Sequence, residues 1–441
     1  MRQLFLSFLL VGTLTAGAQS TTASQVARIS TDDAVERPLF KTFPGEIPYR
    51  IPAIAVNRRG ELIAVSDYRP CGGDIGFGKV DLRYRISDNN GATWSREYVL
   101  AEGDGVKGSK TCGYGDAAIA ADRGSDEAVV VCVTGNTVYG SGSTTRKNPN
   151  RVAVLHSTDG GHHWGRPVDI TEQIYALFDQ SRLGPVDALF FGSGRICQSR
   201  LIRVGHYYRL YAALCARPGG NRVVYSDDLG RTWQALGDIH TSPAPNGDEP
   251  KVEELPNGDV LLSSRVSGGR LFNIFHYLSE RNATGAWEQQ PVLSQKENGG
   301  IKALQNSTNG EILLVDARDN ATHRPVRLAL QSVPLGPGRA NVGIYYKALP
   351  TNKRRALEWE HYTAKDFATG WGGPLKVTTL GSAYSTMVQQ TDGRIAFFYE
   401  EETYGKGACY TNMYVPLTLE RITDGKFSAL HTQLPPKAKR R

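Results

Sequence analysis

The sequence predicts an all-β fold, a six-bladed β-propeller. Three observations lead there: a turn pattern that recurs at near-constant spacing, an excess of glycine, and strand-like segments with almost no helical periodicity. Glycine accounts for 48 of 441 residues, above the usual share of about 7% and without a G-X-Y period, which excludes collagen and favours a turn-rich β protein. A hydrophobic fraction of 40% and a charged fraction of 22% are globular values and exclude wholesale disorder. The length alone suits several ordinary domains or one large β domain.

The repeat decides between them. Residues 87–94, 157–164 and 226–233 align without gaps on the pattern Ser-x-Asp/Asn-x-Gly-x-x-Trp. Each copy follows an alternating or β-branched run, at 80–86, 152–155 and 223–225, so each is read as the turn after a strand. Ser and Asp can bond to the turn's own backbone, Gly takes a positive φ, and Trp anchors the hairpin by burial. The copies begin at 87, 157 and 226. A period of about 70 residues divides the chain into about six four-stranded antiparallel units. Weaker echoes stand at 284–287, 307–310 and 391–393, and 364–368 is the one segment that reads as a short helix. No linker interrupts the pattern, so the expected division is a signal peptide over 1–18, a single propeller over 19–430 and a basic tail over 431–441.

The first residues set the expected compartment. Met1-Arg2-Gln3 is a positive start, residues 4–14 are an apolar run too short to span a bilayer, and Ala16-Gly17-Ala18 is a small-residue cleavage site, the pattern of a secretory signal peptide. Export, secreted or periplasmic, is the expectation. No later stretch reads as a membrane helix. About 30 residues separate the cleavage site from Arg50, too few for a separate carbohydrate-binding module. Lys plus Arg is 51 against 44 for Asp plus Glu, a net charge of +7, a mild lean toward anionic partners that does not imply nucleic acid. Six scattered cysteines fit neither a disulfide scaffold nor a zinc site. One or two bridges at most are expected, with Cys197 and Cys215 paired on proximity alone. The HxxxH and GxSxG signatures and phosphate loops are absent, so no cofactor and no catalytic metal are expected.

The three turns resemble the Asp boxes of the sialidase superfamily, and further pieces of that family's pattern follow in order. Tyr49-Arg50-Ile51-Pro52 resembles its Arg-Ile-Pro motif. Asp67-Tyr68-Arg69-Pro70 and Gly72-Gly73-Asp74-Ile75 resemble the segment with a further pocket arginine and the acid/base Asp. Asp248-Glu249-Pro250 and Ser263-Ser264-Arg265 resemble the family's Glu and second triad arginine, and Gly338-Arg339-Ala340-Asn341 its third. Ala383-Tyr384-Ser385-Thr386 resembles the nucleophile segment, and Phe398-Tyr399-Glu400 the Glu that steadies the first arginine. The resemblance runs from Tyr49 to about Ile422. It implies an exo-α-sialidase acting on sialylated glycoconjugates, with Asp74, Glu249 and Tyr384 catalytic, Arg50, Arg69, Asp116, Arg265 and Arg339 binding substrate, and Glu400 supporting; the sequence does not give the oligomeric state, and a monomer is the expectation. Asp116 matches an Asp that holds the glycerol or acylamino end of the sugar in relatives, and reads equally well as a turn-forming Asp after Gly115.

The chemistry asks for these residue types. A sialic acid carries a carboxylate on its anomeric carbon, and Arg binds two carboxylate oxygens in one plane with a permanent charge. Arg50, Arg265 and Arg339 are the candidates, and packing three cations together calls for a carboxylate brace. A charged nucleophile would be repelled by the substrate carboxylate, whereas a phenol is neutral. With an ordinary pKa of about 10, Tyr384 needs a base to take its proton, the role of Glu249. Asp74, in a Gly-rich loop, is left to protonate the leaving oxygen and then activate water, helped by a loop that excludes solvent. Glu253 and Glu254 share a strand with Glu249, and the bland reading of all three is surface charge. Lys353-Arg354-Arg355 offers rivals to Arg339. A trans-sialidase or intramolecular trans-sialidase shares every one of these residues, and an inert sialic-acid-binding lectin remains the rival from another class.

Overall fold

In a computed structural model the described residues, 35–305 and 308–430, form six antiparallel-based sheets arranged as a six-bladed β-propeller. From the centre outward, blade 1 is Tyr49–Val56, Leu62–Tyr68, Asp81–Ser87 and Tyr98–Ala101. Blade 2 is Tyr114–Ala121, Ala128–Thr134, Arg151–Ser157 and Val168–Asp169, joined on its inner edge by Gly194–Arg195 in parallel pairing. Blade 3 has an interrupted inner strand, Ala188–Phe191 and Cys197–Val204, then Tyr207–Arg217, Arg222–Ser226 and Gln234–Ala235. Blade 4 runs Pro250–Glu254, Val260–Val266 and Gly269–Ser279, with Thr284–Trp287 and Val292–Ser294 outside. Blade 5 runs Ile312–Asp319, Pro325–Pro334, Val342–Ala348 and Gly372–Lys376, with Phe427–Ala429 on its inner edge. Blade 6 runs Ser382–Gln389, Ile395–Glu401 and Thr411–Leu417, and its outer strand is Arg37–Phe40, from the other end of the described chain. Several blades thus carry a fifth strand where four are expected.

The ring closes because each sheet is apolar on both faces. Side chains alternate across a strand, so Val129 and Val131 pack toward blade 3 while Val130 and Cys132 pack toward blade 1. Phe397 and Tyr399 likewise face blade 5, and Ala396 and Phe398 face blade 1. Each of the six junctions between neighbouring blades has its own buried apolar cluster.

The repeated turns lie after the third strands of blades 1, 2 and 3 and share one geometry. The Ser hydroxyl donates to the Asn or Asp carboxyl or amide oxygen and accepts the Gly N–H, at 2.9, 2.9 and 2.8 Å for Gly91, Gly161 and Gly230. Each turn also offers a backbone carbonyl to the third strand of the preceding blade: Asn90 to the Tyr414 hydroxyl at 2.9 Å, His162 to that of Tyr84 at 2.6 Å, Leu229 to His156 at 3.0 Å. A Cβ at Gly91 would come within 2.1 Å of the Tyr414 hydroxyl, at a φ of +76°, so the close approach requires glycine. The weaker echoes differ. Thr284–Trp287 is the outer strand of blade 4, 391–393 joins the first two strands of blade 6, and Asn309 precedes the inner strand of blade 5; Ser307 lies outside the described residues.

Three expectations need correction. All six cysteines are free, and Cys197 does not pair with Cys215: Cys197 stands opposite Tyr211, four residues along the strand from Cys215, roughly 13 Å of extended chain against the ~7 Å limit for a bridge. The short helix at Ala364–Ala368 is present, capped by Thr363 accepting from the Asp366 N–H, but Thr171–Tyr175 and Leu419–Ile422 are helical as well. Glu253 and Glu254 are not surface charges. Both are buried; burial opposes the charge of Glu253, yet Arg195 at 2.6 Å and Arg200 at 3.0 Å hold its carboxyl down to about 2. The signal segment and the basic tail lie outside the described residues. Among those residues no helix is long and apolar enough to cross a membrane.

Candidate active site

The inner strands deliver their first residues to one end of the central shaft. Arg50 is the second residue of Tyr49–Val56, Asp116 the third of Tyr114–Ala121, Tyr384 the third of Ser382–Gln389, and Glu249 immediately precedes Pro250–Glu254. In blades 1, 2 and 6 the pairing register shifts at these points, between Arg50 and Ala53, Gly115 and Ala118, and Ser382 and Ser385. Such irregularities re-aim a side chain out of the sheet. Ile51 and Asp116 take φ angles of 53° and 52°, strained for any residue and most of all for β-branched Ile.

Arg50, Arg69, Asp74, Asp116, Glu249, Arg339 and Tyr384 line one cavity of about 320 Å³, whose apolar wall includes Ile75, Phe77, Val133, Val138, Tyr139 and Phe190. Phe77 sits at its mouth, 65% exposed. Two predicted residues act from behind the wall. Glu400, fully buried, accepts from Arg50 Nε at 2.8 Å and Nη2 at 3.3 Å, and from the backbone N–H groups of Ile51 and Tyr384 at 2.8 and 3.2 Å. Arg265 donates from Nη1 to Glu249 Oε2 at 2.9 Å and lies 3.5 Å from Asp248.

The Tyr384 hydroxyl donates to Oε1 of Glu249. Both side chains are buried. Burial pushes the Glu249 carboxyl above its ordinary range, with Arg265 opposing. Burial and then the Glu249 charge raise the phenol well above its own. The raised phenol keeps its proton and points it at the Glu249 carboxyl group. The guanidinium carbons of Arg50 and Arg339 lie 5.8 and 5.7 Å from the Tyr384 ring centre, and Arg50 also sits 4.9 Å over Tyr410. Arg339 pairs with no carboxylate among the described residues, whereas Arg354, one of its rivals, pairs with Glu280.

A second cluster surrounds Arg69. Its Nη2 lies 2.8 Å from Asp67, 3.0 Å from Asp74 and 3.7 Å from Asp116. Asp67 is fully buried, and burial lifts its carboxyl to about 6 although Arg69 pulls the other way; its Oδ1 accepts the Asp116 N–H at 3.0 Å. A Cβ at Gly115 would lie 2.8 Å from Asp67. The Asp74 side chain is 62% exposed, at the solvent side of the cluster.

Several participants are absent from the sequence reading. Asp67 was legible in principle, because residues two apart on a strand share a face and so Asp67 stands beside Arg69. Asp248 adjoins Glu249. Asn309, whose backbone N–H donates to Glu249 Oε2 at 3.0 Å, falls in the weak turn echo at 307–310, which carries no chemical signal, and Tyr410 has no motif that marks it.

No protein-family model matches the chain. A sialidase of Micromonospora viridifaciens is 28% identical over 373 residues, covering 82% of this chain and 51% of the relative; the chain thus spans about half the relative's length. Among solved structures, the Hadza microbial sialidase Hz136 superposes with a TM-score of 0.62 at 19% identity, covering 85% of this chain and 66% of that one. The intramolecular trans-sialidase from Ruminococcus gnavus superposes with a TM-score of 0.63 at 14% identity, covering 89% and 99%. The chain is thus similar in sequence to curated sialidases over most of its length, and its fold is a six-bladed propeller like that of the solved sialidases.

Proposed function

We propose that the chain is an exo-α-sialidase that releases terminal α-linked sialic acid from glycoproteins, glycolipids and oligosaccharides with retention of configuration. The observation that carries this reading is the buried hydrogen bond from Tyr384 to Glu249 in a cavity walled by Arg50 and Arg339. Arg50, Arg339 and, from beside Glu249, Arg265 bind the substrate carboxylate. Tyr384 attacks the anomeric carbon as its proton passes to Glu249, and Asp74 protonates the departing glycosidic oxygen. Water, deprotonated by Asp74, then attacks the sialyl-tyrosine and the phenol recovers its proton from Glu249. Asp116 and the apolar wall receive the glycerol and acylamino end of the sugar. The repeated turns are the family's Asp boxes. Export belongs to the same reading and rests on residues 1–18, outside the described residues.

Turnover of a fluorogenic α-sialoside tests it. Fluorescence is expected from the parent chain, with a loss of at least about 10³-fold in Tyr384→Phe. Full activity in that variant removes Tyr384 as nucleophile. Supplying lactose beside the sialyl donor, and looking for sialyllactose, separates transfer from hydrolysis.

A further inference from the structure

We propose that Asn309 is the positioning residue that fixes Glu249 relative to Tyr384. The inference rests on the sialoside reading only in that Tyr384 and Glu249 are the reacting pair. Blades 4, 5 and 6 are separate sheets, so no ladder of strand hydrogen bonds sets the distance between a base on blade 4 and a nucleophile on blade 6. Asn309, at the head of blade 5, bridges them with its backbone. Its N–H donates to Glu249 Oε2 at 3.0 Å, and its carbonyl accepts the N–H of Ser385, the residue after Tyr384, at 3.3 Å.

The side chain holds that backbone in place. Asn309 is 2% exposed, and its Nδ2 donates to the Ser193 carbonyl at 2.9 Å, in the crossover between Ala188–Phe191 and Gly194–Arg195. The same carbonyl accepts from Nζ of Lys251 at 3.0 Å, two residues along the strand from Glu249. The division of labour at the carboxylate follows. Oε2 is occupied by Arg265 and the Asn309 N–H, which fixes the carboxylate plane and leaves Oε1 to the Tyr384 hydroxyl. Without the amide anchor the N–H drifts, the carboxylate is free to rotate, and the charged form loses a donor. Misplacement of a reacting group by about 1 Å costs on the order of 10²-fold in rate.

The test is sialoside turnover by Asn309→Ala and the near-isosteric Asn309→Asp across about pH 4 to 9, beside the affinity for free sialic acid. In Asn309→Ala, kcat is expected to fall about 10²-fold, sialic acid affinity to stay within about threefold, and the acidic limb of kcat/KM to move to higher pH. Asn309→Asp, which sets an oxygen against the Ser193 carbonyl, is expected to fall at least as far, and it serves if the alanine variant does not fold. Unchanged kcat with an unmoved limb in either folded variant overturns the proposal, as does a parallel loss of kcat and sialic acid binding with the limb in place. A parent chain inactive on sialosides overturns the functional reading and this inference together; an active parent with indistinguishable variants overturns the inference alone.

Discussion

Tyr384 and Glu249 stand 135 residues apart in the chain and meet through one buried hydrogen bond, the phenol donating to the carboxylate. In the proposed mechanism their pairing gives Glu249 a task that depends on its charge. As a base it must be ionised, and burial holds its carboxyl above the ordinary range, so kcat/KM should begin to fall, on acidification, at a higher pH than an ordinary Glu would give. Glu249→Gln is expected to lose about 10² to 10⁴-fold in kcat and to abolish that limb. A retained limb in this variant assigns it to another group.

Glu400 bears on stability more than on binding. It is fully buried and satisfies Arg50 together with the N–H groups of Ile51 and Tyr384. Glu400→Ala leaves a guanidinium and two backbone donors without their partner, so a loss of about 3–5 kcal/mol in unfolding free energy is expected. Urea denaturation measures it, and a change below about 1 kcal/mol would falsify the brace.

Arg339 should behave in the opposite way. With no carboxylate partner among the described residues and its guanidinium on the cavity wall, it is available to an anionic ligand. Arg339→Ala is expected to weaken sialic acid binding by about 10- to 100-fold, the worth of a hydrogen-bonded charge, and to leave stability within about 0.5 kcal/mol. Calorimetric titration beside thermal unfolding tells whether the two effects separate.

A pH-dependent contribution to stability lies far from the site, at His276 of blade 4. Its hydrogen bonds to Asp259 at 2.9 Å and to Glu288 at 3.2 Å raise the imidazole from 6.5 to about 9. A raised folded-state value means the ion pair contributes in full below about pH 6.5 and is lost as pH climbs through about 9. His276→Gln should therefore lower Tm at pH 6 and match the parent near pH 10. With the side chain 40% exposed, solvent screening limits the drop to about 1–2 °C. An equal drop at both pH values points to lost packing instead.

The fold was legible where chemistry repeats. Blades 1 to 3 announce themselves because their turns need the same hydroxyl, carboxyl and glycine at fixed offsets. In blade 4 the corresponding turn uses Ala283 at a φ of 51°, with its Trp displaced by one residue, and the pattern dissolves. Residues of the cavity were legible where a side chain stands in a recognisable setting, as for Arg50 or Tyr384. Asn309 was not, because its contacts to Glu249 and Ser385 are made by a backbone that every residue carries. Glu253 misleads for another reason: its partners Arg195 and Arg200 are more than 50 residues away, and nothing local separates a buried ion pair from a solvated charge.

The last blade is zipped together from both ends of the described chain: Arg37–Phe40 pairs along Thr411–Leu417, and the same sheet carries Tyr384 and Glu400. The sheet that holds Tyr384 is complete only when Thr411–Leu417 has found Arg37–Phe40. The placement of Tyr384 and Glu400 in one sheet is thereby tied to a contact between distant segments, and loss of Arg37–Phe40 would bare the outer edge of the sheet that holds them.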